Sequence, residues 1–122
     1  MDESLRAAVE MFNAGHFTEF QDQLETLVAR TRAASERQFY TLLRHFAEAL
    51  HQTGNAQFES AEALLVPALR KLEEYVPRFR GLNVESLRED LLVVATELRE
   101  VRSGRKAEFR VPRLPRLRVL AE

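Results

Sequence analysis

Apolar residues recur along most of the chain at steps of three and four, the spacing that keeps side chains on one stripe of an α-helix. Leu5, Ala8, Val9 and Phe12 form the first stripe and predict a helix over about residues 3 to 14, with Asp2 or Ser4 as its N-cap. Gly15 suits the left-handed position just past a helix end, because it has no Cβ to clash there. Phe20, Leu24, Leu27 and Val28 form a second stripe, ending near Arg32, and Thr18 with Gln21 has the spacing of a capping box at its start.

Ser35 and Gln38 repeat that spacing ahead of Phe39, Leu42, Leu43, Phe46 and Leu50, which predicts a third helix over about 36 to 53. Gly54-Asn55 supplies a stop and a new N-cap for a fourth helix carrying Phe58, Ala61, Leu65, Ala68, Leu69 and Leu72. Pro67 lies inside that stripe and has no amide hydrogen for the carbonyl of Ala63, so a kink is expected there. Pro77 and Gly81 mark the next connection. Asn83 then caps a fifth helix, whose Leu87, Leu91, Val94, Leu98 and Val101 form a long seam.

After Ser103-Gly104 the helical period stops. Pro112 and Pro115 forbid a helix, and Arg116, Leu117, Arg118 and Val119 alternate polar with apolar, so an extended segment is expected. The pattern therefore predicts an all-α, single-domain bundle of about five helices over residues 1 to 103, followed by an extended basic arm over 104 to 122. The arm can lie along the body or reach another subunit.

Composition sharpens this picture in three ways. The 122 residues include no cysteine, which excludes disulfides, thiolate metal sites and cysteine nucleophiles and suits a cytoplasmic protein. The acidic start Met1-Asp2-Glu3 lacks the basic and apolar regions of a signal peptide, and no apolar run approaches the ~18 residues needed to cross a bilayer. The net charge of −1 conceals a split: residues 1 to 101 hold 11 Lys/Arg and 17 Asp/Glu, whereas residues 102 to 122 hold 7 and 2.

Phe12, Asn13, Gly15, Phe17, Glu19, Leu24 and Glu25 together resemble the motif of the prokaryotic domain of unknown function numbered 309. That motif has a phenylalanine-asparagine-x-glycine turn, then a glutamate-x-histidine-glutamate-x-x-glutamate run. The likeness extends more loosely through Gly54-Asn55, Ala61, Leu64 and Leu65, over about residues 10 to 72, and into Gly81-Leu82-Asn83-Val84. It implies a compact all-helical fold and supplies no substrate. Two positions depart from the motif, since Gln21 replaces its histidine and Asp22 its next glutamate. The family's third helix carries a glutamine facing that histidine, and His45 falls in its register here, as though the pair were exchanged between helices.

The second and third helices therefore carry the candidate polar cluster Glu19, Gln21, Asp22, Glu25 and His45, with Gln21, Glu25 and His45 as an interhelical clasp. A metal-dependent enzyme is the alternative, with Glu25, His45, Glu48 and His51 as ligands, since Glu48-x-x-His51 has the spacing used in di-iron bundles. Those sites use two such pairs and two further glutamates, and the chain offers one pair. His16 reads as a turn residue, and no phosphate loop, nucleophile elbow or paired-histidine zinc motif occurs.

In the arm, Arg110, Arg113, Arg116 and Arg118 have the charge for phosphate contacts, a second alternative of nucleic-acid binding. The interleaved Phe109, Val111, Leu114, Leu117, Val119 and Leu120 favour docking of the arm on an acidic body instead. Pro112-Arg113-Leu114-Pro115 has PxxP spacing, a weak signal outside eukaryotic signalling. A peptide-binding helical repeat is weakened because Gly15 and Gly54 share little beyond their glycine turns. The expectation is a small non-catalytic module with no cofactor and no membrane contact, forming a homo-oligomer or binding another protein.

Overall fold

The computed structural model describes residues 1–121 and contains five helices in chain order: α1 (Glu3–Asn13), α2 (Phe17–Arg30), α3 (Ala34–Gly54), α4 (Phe58–Leu72) and α5 (Val84–Arg102). Each helix packs against the next in the sequence. The fold is the all-helical, five-helix bundle with an extended, non-helical C-terminal region that the periodicity predicts. Glu122, the last residue of the expected arm, lies outside the described residues.

The longest helix, α3, lies between α2 and α4 and buries both flanks. Phe39, Leu43, Phe46 and Ala47 are fully enclosed, and they meet Phe20 and Leu24 from α2 and Leu65 and Leu72 from α4 in one core. Burial of each large apolar side chain is worth about 1.5–3 kcal/mol relative to exposure. Phe12 packs edge-on against Phe17 and Phe20, with centroids 5.5 and 5.1 Å away, so the α1–α2 corner is joined to the core by aromatic contact.

The helix ends differ in detail from the expected caps. Asp2 caps α1, its Oδ1 accepting from the amides of Ser4 and Leu5, and Asn83 caps α5 by accepting from the Ser86 amide. Neither expected capping box forms. Helix α2 starts at Phe17 after His16, and α3 at Ala34 after Ala33, each without a side-chain cap, so Thr18 and Ser35 lie inside the first turn. Asn55 ends α3 instead of starting α4, whose N-cap is Gln57.

Gly15, at φ +80°, closes α1 as expected, with the Gly15 amide donating to Phe12 and the His16 amide to Met11. The same pair of bonds closes α3, from Ala56 to Thr53 and from Gln57 to Gln52, but the left-handed residue is Ala56, at φ +60°. Gly54 is still helical, two residues before the position that needs a glycine.

Between α4 and α5 the chain forms a 3-10 turn, Glu73–Tyr75, and a hairpin of β1 (Arg78–Phe79) and β2 (Leu82–Asn83). Arg80 and Gly81 both have positive φ, 50° and 80°, the two-residue turn whose twist matches a hairpin. Phe79 packs on Phe39 and Tyr75, at centroid distances of 4.8 and 4.9 Å, and the Tyr75 hydroxyl donates to the Ser35 carbonyl. The arm lies along its own body and adds to this hairpin: the Asn83 amide donates to Arg118, the Leu120 amide donates to Gly81, and Leu82 pairs antiparallel with Val119. Pro115 and Leu117 are buried beneath it.

Exchanging the residues at the α3 terminus supplies a direct check. Ala56→Gly relieves a left-handed alanine, and Gly54→Ala removes a helical glycine with open space around its Cβ position. Each is expected to add about 0.5–1 kcal/mol in urea unfolding, whereas Gly15→Ala at the equivalent end of α1 lowers stability by a similar amount.

Candidate functional site

Gln21 projects from α2 towards α3, where its Nε2 donates to Glu48 Oε2 at 3.1 Å, and Gln52 Nε2 donates to Glu48 Oε1 at 3.2 Å. An interhelical polar contact at Gln21 therefore exists, with Glu48 as its centre in place of His45. The reason is angular: three positions separate His45 from Glu48, or about 60° around the helix. His45 is exposed and turned towards α4. Loss of water around its ring, then the charges of Arg44 and Lys71, lower its pKa below the usual histidine value.

Glu19, Asp22 and Glu25 are exposed and make no ion pair among the described residues, so they do not join the clasp. His51 is exposed, with Nε2 3.3 Å from the Asn55 side-chain nitrogen, and His16 is an exposed residue at the start of α2. Glu25, His45, Glu48 and His51 are not brought together. Among the described residues no group of three or more His, Asp or Glu side chains is placed to hold a metal ion.

A more extensive polar network joins the arm to the body. Glu97, only 6% exposed, accepts from Lys106 Nζ at 2.6 Å and from the Arg110 amide at 2.8 Å. Lys106 and then the Arg110 amide hold the Glu97 carboxyl below its usual range, and Glu97 in turn raises the Lys106 pKa. Asp90 accepts from the Arg116 amide at 3.2 Å and lies 3.6 Å from the Arg113 guanidinium. On α1, Asn13 grips the arm with both ends of its amide: Nδ2 donates to the Leu117 carbonyl at 2.9 Å and Oδ1 accepts from the Leu117 amide at 2.8 Å.

These contacts seat the arm chiefly through its backbone. Arg110 directs its guanidinium at Glu108 within the arm, while Arg116 and Arg118 are exposed and make no ion pair among the described residues. The basic residues expected to neutralise the body thus do so only in part, through Arg105, Lys106 and Arg113.

The second surface feature is a groove between α4 and α5, about 360 Å³ in volume. Its apolar lining comes from Val66 and Leu69 on α4 and Leu92 and Ala95 on α5, and its polar lining from Arg70, Glu73, Arg88, Thr96 and Arg99. A further concavity, sharing Val66, Arg70 and Arg99, continues past Ala63 and Pro67 to Arg102. Helix α4 runs unbroken through Pro67, so the Ala63 carbonyl beside the groove has no amide four residues on to accept from. Leu92 and Val93 are 39% and 47% exposed on α5, high values for large aliphatic residues in the middle of a 19-residue helix. Arg88 pairs with Glu73, and Arg102 and, at 4.0 Å, Arg99 with Glu62, but Arg70 makes no ion pair among the described residues.

No family model matches the chain, and no curated protein or solved structure matches it. Surface chemistry therefore has to carry the functional reading. Three of the residues that organise that surface, Asn13, Asp90 and Glu97, were not among the sequence candidates. Glu97 left one trace, a carboxylate wedged between Val94, Leu98 and Val101 of the apolar seam; Asn13 left none beyond the turn in which it sits.

Two outcomes test the arm network. Asn13→Ala removes two hydrogen bonds and is expected to cost about 1–3 kcal/mol and to speed tryptic cleavage at Arg116 and Arg118; unchanged cleavage would show that Asn13 is not the clamp. The lowered Glu97 pKa means its contribution is complete above the usual value near 4.5 and lost as pH falls through the lower folded value. For Lys106 the raised pKa reverses the sign: its contribution is complete below 10.5 and lost as pH rises through the higher folded value. The melting-temperature gap between wild type and Glu97→Gln should accordingly narrow at both extremes, and a gap constant from acid to alkali contradicts this account.

Proposed function

We propose that this protein is a non-catalytic binding module whose α4/α5 groove seats an amphipathic helix of a partner protein, one with carboxylates flanking its apolar stripe. The observation that carries this reading is the exposure of Leu92 within the apolar lining that it forms with Val66, Leu69 and Ala95. A helix lying in such a groove replaces water along the whole apolar strip, the usual source of affinity in helix-in-groove recognition. Arg70, Arg88 and Arg99 outnumber Glu73, the one carboxylate in the lining, and so set the sign of the partner's flanking charge. Arg70 is placed to contribute most, because it gives up no existing ion pair on binding.

The charge pattern also bears on the expected homo-oligomer. The acidic exposed face within the chain, Glu19, Asp22 and Glu25 of α2, has its apolar neighbours Phe20, Leu24 and Leu27 turned into the core. It offers a second copy's groove carboxylates without an apolar stripe, which favours a different partner. The family resemblance adds no ligand to this reading. Three of its matching residues have architectural jobs here, since Phe12 is core, Asn13 clamps the arm and Gly15 ends α1.

A direct test uses a designed helical peptide of about 20 residues, with leucines at helical spacing and glutamates on both flanks, and its counterpart with lysines in place of the glutamates. Anisotropy titration is expected to show binding of the acidic peptide alone, abolished by Leu92→Asp and weakened roughly tenfold by Arg70→Glu. Indifference to Leu92→Asp, or equal binding of the lysine peptide, defeats the proposal. A wild-type dimer that Leu92→Asp converts to monomer in sedimentation would assign the groove to a second copy instead.

A further inference from the structure

Docking of the arm creates a surface that neither segment has alone. The antiparallel register places Arg78 opposite Asn83 across the hairpin, and the Leu82–Val119 pairing places Asn83 opposite Arg118. Residues paired on one rung share a face of the sheet, so Arg78 and Arg118 lie on the same side, two strands or about 10 Å apart. Arg116 is two residues before Arg118 in the same alternation of exposed and buried positions, about 7 Å along the strand. The intervening Leu117, together with Leu82, faces inward and is buried.

All three arginines are exposed, and none makes an ion pair among the described residues. Two nearby acids are otherwise engaged: Asp90 holds Arg113 and the Arg116 amide, and Glu36 holds Arg80 at 2.6 Å. Glu85 is in the first turn of α5, two residues beyond Asn83. The sheet's one aromatic residue, Phe79, points the other way, into Phe39 and Tyr75.

We propose that Arg78, Arg116 and Arg118 form a binding face for the phosphodiester backbone of duplex nucleic acid, without base readout. A guanidinium presents five donors in a planar fork suited to phosphate oxygens, and three of them held by a sheet contact neighbouring phosphates with little further ordering. Their spacing of about 7–10 Å suits a ligand of repeating charge, since a duplex carries one charge per ~1.7 Å of its axis. The absence of an aromatic on this face removes the base stacking on which single-strand binding depends. The face is distinct from the α4/α5 groove and stands or falls independently of it.

The test measures binding of the full chain to a duplex of about 20 base pairs as salt is varied. Three phosphate contacts give a slope of about −2.7 in log affinity against log salt, a loss of roughly 40-fold between 50 and 200 mM. Each of R78Q, R116Q and R118Q is expected to reduce the slope by about 0.9, whereas R37Q, which removes an exposed arginine of α3, leaves it unchanged. Melting temperatures establish that the variants are folded. No duplex binding at 50 mM salt overturns the proposal. So does a slope that the triple variant shares with wild type, equal binding of poly-glutamate, or binding of sodium tripolyphosphate alone.

Discussion

The arrangement depends on one constraint: a helix with apolar residues on two flanks has to have two neighbours. The three middle helices, α2, α3 and α4, meet that condition in the row of five, and α3, with α2 on one side and α4 on the other, contributes the enclosed Phe39 and Phe46 to the core. The outer helices cannot be satisfied in the same way. At the end of the row, α5 has α4 against one flank and the arm against another, through Asp90 and Glu97, while Leu92 and Val93 remain in contact with water. The surfaces that carry the functional readings therefore arise where the row ends.

The helices were legible because their stripes are long. Four or five apolar residues at helical spacing fix both the type of an element and the face it buries, and Phe39, Leu43, Phe46 and Leu50 of α3 show how little tertiary context that inference needs. The ends were less legible. Capping-box spacing at Thr18–Gln21 and Ser35–Gln38 recurs by chance in polar-rich helix starts, and here the helices begin two residues earlier than those caps require. The hairpin escaped because two-residue strands are too short to display a period of two.

The candidate site was legible only to the level of one helix face. Periodicity brought Gln21 to the edge of the α2–α3 contact, and the contact is there. Choosing between His45 and Glu48 as its partner requires the rotation of α3 about its own axis to within about a sixth of a turn, which the packing of α3 between α2 and α4 sets and sequence spacing leaves free. Chemical expectation drew attention to the imidazole, while packing selected the carboxylate. Long-range partners such as Asn13 and Leu117, separated by 104 positions, have no local signature at all.

The way the arm is held has an evolutionary consequence. Arg110, Arg116, Leu117, Arg118 and Leu120 contribute main-chain amides or carbonyls to the body, so the outward side chains at 110, 116 and 118 are not what keeps the segment in place. Mutational drift at those positions can change the sign and shape of this surface while its scaffold persists. Such a strap acts as a replaceable label on a fixed mount, on which new recognition chemistry can be tried without unfolding the molecule.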